Sequence, residues 1–165
     1  MHAAYCAGNR FVHRRSAKIV RAGLEACSGP TRWPDARINV VDGGASDSRK
    51  SLQISGEITP GVFGWAGAMF FPGPAPMVPV NLSGKRAISF WTRGDGRTYQ
   101  VMLFAKSQGA MPKAESFTAG PDWTRVTIPL TDFGIDGSDL QAIMFAELAA
   151  PGRFTFLIDE VRLEE

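Results

Sequence analysis

The residues that could support catalysis are distributed unevenly along this chain of 165 residues. Both histidines and both cysteines lie within the first 27 residues, at His2, Cys6, His13 and Cys27. The nine serines after residue 38 have no histidine in the same part of the chain to act as their base, and no Gly-x-Ser-x-Gly motif. One further nucleophile–base pair, Ser83 with Lys85, has no supporting motif. We therefore expect no catalytic residue, and binding rather than chemistry.

Oxygen atoms are the metal ligands that the body of the chain offers. Zinc and other soft metals are disfavoured in residues 38–165, because that part of the sequence lacks histidine and cysteine. Calcium needs only oxygens, and eight acidic residues are candidates to supply them: Asp42, Asp47, Glu57, Asp95, Asp136, Asp139, Asp159 and Glu160. Carboxylates could also hydrolyse a glycoside, ester or lactone, as a pair or with a metal-bound water. A small metal-dependent hydrolase is thus the alternative to a binding protein.

Aromatic and hydrogen-bonding side chains indicate a ligand surface. Six residues are candidates for one surface on a concave sheet: Trp65, Trp91, Arg93, Tyr99, Gln100 and Phe104. Aromatic rings stack on the apolar faces of sugars, while a guanidinium and an amide can hydrogen-bond the hydroxyl groups. The alternative is core packing, which must hold for about half of the aromatics because a sandwich needs large inward side chains on both sheets. Four others are assigned to the core: Trp123, Phe133, Phe154 and Phe156.

Charge separates the first part of the chain from the rest. Residues 1–37 contain seven basic and two acidic residues, a net charge of +5, whereas the remainder contains eleven basic and fourteen acidic residues, a net charge of −3. A basic balance confined to one end is poor evidence for a nucleic-acid-binding fold. No apolar run approaches the ~20 residues of a membrane span or forms the core of a secretory signal. We expect neither nucleic acid nor membrane as a partner, and the localisation stays unknown.

The first 36 residues are predicted to be a leader outside the folded domain. Val20, Leu24 and Cys27 recur at helical spacing before Ser28-Gly29-Pro30, which would end a helix. A basic, acid-poor N-terminus is typical of a mitochondrial transit peptide. The alternative is a poorly packed or non-native segment at a gene boundary.

Residues 37–165 are predicted to form one domain of consecutive β-strands. The 18 glycines and 11 prolines divide short, aromatic-rich apolar runs. The predicted strands are Arg37–Val41, Ser51–Ser55, Trp65–Phe71, Ala87–Arg93, Tyr99–Lys106, Ala114–Thr118, Arg125–Ile128, Ala142–Phe145 and Phe154–Leu163. Strands of this length with turns every ~8–12 residues are typical of an all-β antiparallel sandwich or jelly roll.

Two connections between predicted strands have sequences that indicate their geometry. Gly94-Asp95-Gly96 can supply the positive φ of a tight turn, so a hairpin is predicted to pair the strands on either side. That hairpin would bring Gln100 beside Trp91 and Arg93. Residues 72–79 contain four prolines and cannot lie inside a sheet. We expect an extended crossover there, where the chain changes sheets.

Four segments in order resemble the complex I intermediate-associated protein 30 kDa family. They are Trp65-Ala-Gly-Ala-Met-Phe-Phe-Pro-Gly, Ile88-Ser-Phe-Trp-Thr-Arg-Gly-Asp-Gly-Arg-Thr-Tyr, Asp122-Trp-Thr-Arg-Val-Thr-Ile-Pro-Leu-Thr-Asp-Phe and Phe156-Leu-Ile-Asp-Glu-Val-Arg-Leu. The resemblance covers about Arg37 to Glu165. It implies a galactose-binding-domain-like jelly roll, similar to carbohydrate-binding modules, which in bacteria also occurs attached to hydrolases such as amidohydrolases. The family's acidic, Trp-containing first strand has no counterpart in residues 1–36.

The resemblance also implies a function and a metal. Jelly rolls of this type hold a structural calcium through an acid of the terminal strand, which matches Asp159 here. The expected function is a non-catalytic module that binds a saccharide or a similar small polar ligand, as an accessory to a lost or neighbouring hydrolase domain. A protein-interaction or assembly module is a third hypothesis.

Overall fold

Alternation of inward and outward side chains builds two antiparallel β-sheets that pack face to face. The computed structural model describes residues 36–60, 65–109, 111–148 and 150–165, together with the backbone of 6–8 and 24–28. The strands are β1 (Cys6–Gly8), β2 (Leu24–Ser28), β3 (Arg37–Asp42), β4 (Lys50–Ile58), β5 (Trp65–Phe70), β6 (Ala87–Gly94), β7 (Thr98–Ala105), β8 (Ala114–Thr118), β9 (Thr124–Pro129), β10 (Leu140–Leu148) and β11 (Gly152–Glu164). One sheet has the order β1-β2-β5-β10-β7-β8, and the other β3-β4-β11-β6-β9.

Both sheets contribute aromatic rings to a shared core. Phe90 of β6 packs edge-on against Phe145 of β10 and Phe117 of β8, with ring centroids 4.9 and 5.0 Å apart. Phe156 of β11 lies 4.1 Å from the ring of Tyr99 on β7. Apolar side chains on the inner faces of β4, β6, β7, β10 and β11 must leave water, so the two sheets close over each other.

The fold class predicted from the sequence is confirmed. All nine predicted strands occur, and six of them are one to five residues longer than the prediction. Among the described strands every pairing is antiparallel. The proline-rich residues 72–79 form no strand and connect β5 of the six-stranded sheet to β6 of the five-stranded sheet, as expected. No helix in the described part of the chain is long and apolar enough to cross a membrane.

The predicted hairpin at Gly94-Asp95-Gly96 is wrong. Strands β6 and β7 belong to different sheets, so this segment is a corner that crosses the sandwich. Gly94 and Gly96 donate backbone hydrogen bonds to Gly120 and Ala119 instead of closing a two-strand ladder. A Cβ on Gly94 would lie 2.9 Å from Thr155 O, so only glycine fits this close approach. Both strands carry a continuous apolar face, and stacking those faces across the core buries more surface than pairing the strands edge to edge.

The helix predicted to end at Cys27 is wrong over its last residues. Leu24–Ser28 is strand β2, which pairs with β5 from Leu24 opposite Phe70 to Ser28 opposite Ala66. A β-strand satisfies the backbone groups along one edge of β5, and that gain outweighs a weak helical pattern. The rest of residues 1–35, apart from Cys6–Gly8, lies outside the described residues, so for them a leader outside the folded domain stays a prediction.

Candidate ligand-binding faces

The six predicted ligand residues are divided among three places. Trp65, Gln100 and Phe104 lie on the outer face of the six-stranded sheet, as the register of β5, β10 and β7 requires. Trp91 and Arg93 lie on the outer face of the five-stranded sheet, opposite Asp159 and Leu157 of β11. The prediction of one shared surface is therefore wrong. Its cause is the corner between β6 and β7, which sends the two strands to opposite sides of the sandwich.

Tyr99 is the sixth predicted residue, and it lies in the core. Its side chain is 0% exposed, and its hydroxyl donates a hydrogen bond of 2.7 Å to Asp95 Oδ1. Burial, followed by the bond to Asp95, raises the pKa of Tyr99 far above the usual tyrosine value. A ring with no exposed surface cannot stack on a ligand, so Tyr99 belongs to the packing alternative.

The outer face of the six-stranded sheet is called the apolar face here. Its central row is formed by Met69, Met144 and Met102, which are directly opposite one another on β5, β10 and β7. Trp65 and Phe104 are half-buried and lie on either side of that row. Sequence analysis missed the methionines, although each belongs to a strand with apolar residues on both faces, which signals a sheet covered on both sides.

Small residues make the middle of the apolar face shallow. Gly67 of β5 is opposite Ala146 of β10, and a Cβ on Gly67 would lie 2.1 Å from Phe145 O. The amide of Gln100 lies in the same row and donates a hydrogen bond of 2.9 Å to Ser116 Oγ. This row is therefore a floor without bulky side chains, in which Ala146 is 0% exposed and the Gln100–Ser116 pair forms the polar border.

The span of the apolar face follows from the strand register. Trp65 is opposite Leu148 and Phe104 is opposite Ala142, six residues apart along β10. At about 3.3 Å per residue the two aromatic rings are separated by about 20 Å along the strands. That length suits an extended ligand that contacts both rings.

The outer face of the five-stranded sheet is called the arginine face here. Trp91 is directly opposite Arg125 of β9, and Arg93 lies two residues further along β6. The Arg93 guanidinium carbon lies 5.5 Å from the ring centroid of Trp123. Trp123 is half-buried beneath this arginine and is absent from the core cluster, so its assignment to the core is wrong. The other three core assignments are confirmed: Phe133, Phe154 and Phe156.

A shallow groove of about 630 Å³ opens at one end of the arginine face. Polar and charged side chains of β3, β4, β11 and the β6–β7 corner line much of it: Arg37, Ser55, Glu57, Asp95, Arg153 and Thr155. Thr155 Oγ1 is buried without a hydrogen-bond partner. Arg37, Ser55 and Thr155 occupy one row across three strands.

Asp95 and Arg97 fix the corner at which the chain changes sheets. The Asp95 carboxylate accepts hydrogen bonds from the Tyr99 hydroxyl, from Arg97 N at 3.1 Å and from Thr155 N at 3.0 Å. The Arg97 guanidinium donates to Pro151 O at 2.7 Å and to Arg153 O at 3.2 Å. These bonds tie the β6–β7 corner to the β10–β11 turn, so both groups have structural roles.

Glu147 is an acidic side chain on the inner face of β10. It is 2% exposed, and its Oε2 atom has no hydrogen-bond partner but lies 3.8 Å from Arg97 Nη1. Burial raises the pKa of Glu147 above its ordinary value, while the Arg97 guanidinium acts in the opposite direction. Sequence analysis missed this group; the signal was an acid at an inward position of an apolar strand.

The geometry around Asp159 gives calcium no support. Asp159 Oδ2 accepts a hydrogen bond from Ala45 N at 2.9 Å, and Oδ1 accepts one from Glu160 N at 2.8 Å. The described residues contain no group of three histidine, cysteine, aspartate or glutamate side chains that could hold a metal ion. One carboxylate that already binds two backbone N–H groups does not fit an ion requiring six to eight oxygens. Calcium at Asp159 stays a prediction from the resemblance alone.

Solved structures with a similar β-sandwich fold include carbohydrate-binding modules. A family 11 carbohydrate-binding module of a cellulosomal cellulase of Clostridium thermocellum matches with a TM-score of 0.67 and 16% identity, over 94% of this chain and 96% of that one. The family 11 module from that organism in complex with a β-1,3-1,4-mixed-linked tetrasaccharide matches with a TM-score of 0.66 and 16% identity, over 98% and 97% of the two chains.

A glycoside-cleaving enzyme contains a similar region. The β-1,2-glucanase from Parabacteroides distasonis matches with a TM-score of 0.61 and 17% identity, over 85% of this chain but 22% of that one. Identities this low show the fold alone. No protein-family model matches the chain and no curated protein matches its sequence, so nothing here supports the complex I intermediate-associated family in particular.

Proposed function

We propose that this protein is a non-catalytic saccharide-binding module whose apolar face holds the ligand. The observation that carries the proposal is the pair of half-buried aromatic rings, Trp65 and Phe104, at the two ends of the apolar face. Aromatic rings stack on the apolar faces of sugars and do so at little cost in conformational entropy. The amide of Gln100 supplies hydrogen bonding beside that floor.

The ligand of this face is an oligosaccharide or polysaccharide chain. Two rings separated by about 20 Å exceed the reach of a single sugar. The tetrasaccharide bound to the structurally similar family 11 module supports a ligand of this size.

An accessory role beside a hydrolase is part of the proposal. The match to about a fifth of the β-1,2-glucanase chain supports a module of this fold within a larger enzyme. In this role the protein would hold a glycan near a catalytic domain.

Calorimetric titration with a panel of neutral β-glucan oligosaccharides tests the proposal. We expect Trp65→Ala and Phe104→Ala each to weaken binding by about 5- to 150-fold, the range for contact aromatics that contribute ~1–3 kcal/mol. Val40→Ala, a partly exposed apolar residue on the other sheet, is the control and should bind as the unmodified protein does.

Two results would contradict this function. Equal affinity of Trp65→Ala, Phe104→Ala and the unmodified protein would move the ligand away from the apolar face. Release of reducing ends, or lactone or ester hydrolysis that EDTA inhibits, would replace binding by the metal-dependent hydrolase hypothesis.

A further inference from the structure

Arg93 is an exposed cation held in a fixed position without a partner for its charge. Its guanidinium packs over Trp123, which restricts the side chain without using its N–H donors. Among the described residues Arg93 makes no salt bridge, and its guanidinium donates no hydrogen bond. An arginine arranged in this way offers several parallel donors to a ligand.

Several carboxylates on or beside the arginine face have partners other than Arg93. Glu164 pairs with Arg125 at 2.8 Å and accepts a hydrogen bond from Ser89. Glu57 lies 3.6 Å from Arg153, and Asp159 accepts two backbone N–H groups. Glu160 pairs with Arg162, and the Asp95 carboxylate accepts a hydrogen bond from the Tyr99 hydroxyl. None of these carboxylates forms an ion pair with Arg93, so its guanidinium is available to an anionic ligand.

Polar groups extend from Arg93 across the sheet. Asn39, Gln53, Leu157 and Arg93 form one row over β3, β4, β11 and β6. No side-chain hydrogen bond of Asn39 or Gln53 occurs within the described residues. The row spans three strand spacings, about 14 Å. The groove with the unpartnered Thr155 hydroxyl begins in the next row.

We propose that the arginine face is a second saccharide site, specific for an acidic glycan. A carboxylate or sulfate of the ligand accepts two parallel hydrogen bonds from the Arg93 guanidinium. The sugar ring lies against Trp91, which is half-buried on the same face of β6. Ring hydroxyls bond to the amides of Gln53 and Asn39. The inference rests on the proposed function only for the class of ligand, because the site is on the opposite sheet.

Fixation by Trp123 is central to this site. A guanidinium already stacked on an indole loses little rotamer entropy when it binds an anion. Charge alone would give weak attraction that salt screens within about 8 Å at physiological ionic strength. A bidentate bond at a fixed guanidinium adds selectivity for planar or tetrahedral oxyanions over neutral sugars.

The test compares an acidic with a neutral glycan on the same protein at 0.15 M salt. Oligogalacturonate provides carboxylates, chondroitin sulfate oligosaccharides also provide sulfates, and a β-glucan oligosaccharide provides neither. We expect R93Q to lower the affinity for the acidic oligosaccharide about tenfold or more, as for loss of a charge-assisted hydrogen-bond pair. The ratio of acidic to neutral affinity should fall accordingly, and W65A should shift that ratio the opposite way.

Three further variants test whether the effect depends on the geometry of the Arg93 guanidinium. R93K keeps the charge but loses the fork of donors, so it should recover only part of the lost affinity. W123A should weaken acidic binding several-fold by releasing the guanidinium. R86Q is the matched control, because Arg86 is an exposed arginine just before β6, seven positions from Arg93.

Four outcomes would overturn the proposal. Equal losses in R86Q and R93Q would mean unspecific attraction by net charge. Loss of acidic binding in W65A would assign all glycans to the apolar face. Equal or tighter binding of duplex DNA would make the face a general polyanion surface. No binding of either acidic oligosaccharide, with neutral binding present, would reject this site while the proposed function stands.

Discussion

The two outer faces of the sandwich are built by the same backbone rule but present different chemistry. The described outward positions of β5, β10 and β7 carry methionine, alanine, aromatic and amide side chains without a formal charge. The outward positions of β6, β11 and β9 carry arginine, tryptophan and carboxylate groups. One face can bind through dispersion and stacking, and the other through directed ionic hydrogen bonds. A β-sandwich thus offers two separate surfaces for ligands of different charge.

The largest expected effect is a difference in stability between variants of two neighbouring residues of β6. Phe90 is 0% exposed and packs against Phe117 and Phe145, so Phe90→Ala should lower the free energy of unfolding by ~3–5 kcal/mol. Trp91→Ala, one residue further on the arginine face, should lower it by less, because the indole is partly exposed. Urea denaturation of both variants measures the difference. A greater loss from Trp91→Ala would mean that the inner and outer faces of β6 have been exchanged.

A smaller effect is expected where the apolar face needs a close approach of two strands. Gly67→Ala places a Cβ within 2.1 Å of Phe145 O, so β5 and β10 must separate. We expect a loss of ~1–3 kcal/mol of unfolding free energy. Gly84→Ala is the control, because no atom lies within 4 Å of its added Cβ. Equal stability of the two variants would show that the apolar face tolerates a rearranged floor.

The pH dependence of stability tests the buried Glu147 carboxyl near the end of β10. Burial raises the pKa of Glu147, so this carboxyl binds its proton more tightly in the native than in the unfolded state. Its contribution to stability is fully present below the ordinary glutamate pKa of about 4.3 and is lost as the pH rises through the native pKa. The stability of the unmodified protein relative to Glu147→Gln should therefore decline from pH 4 to pH 7. A relative stability that rises over this interval would mean that the attraction of Arg97 outweighs burial.

The smallest expected effect is that of a chelator. Both Asp159 oxygens accept backbone N–H groups, so we expect EDTA to leave the melting temperature unchanged. A metal bound only to the native state would stabilise it by mass action. A melting temperature that falls with EDTA in the unmodified protein, but not in Asp159→Ala, would support calcium at this position.

Much of the fold was predictable because the signals that encode it are local. Period-two alternation in Ile88–Arg93 and proline-rich residues 72–79 located a strand and a crossover without knowledge of any partner strand. The candidate site was predictable only in part. Trp65, Gln100 and Phe104 do share a face, whereas Tyr99 proved to be in the core. Alternation identifies which residues share a face of a strand, but not whether that face is inside or outside.

Sequence by itself determined the strands, the all-β class and the residue types available for binding. Only the tertiary structure decided which strands share a sheet. The corner at Asp95 sends β6 and β7 to opposite sheets, and this separates Trp91 and Arg93 from Gln100. The physical reason is that a turn sequence with glycines permits both a hairpin and a corner. The choice depends on burying the apolar faces of strands distant in sequence, including the ring of Phe156 against Tyr99.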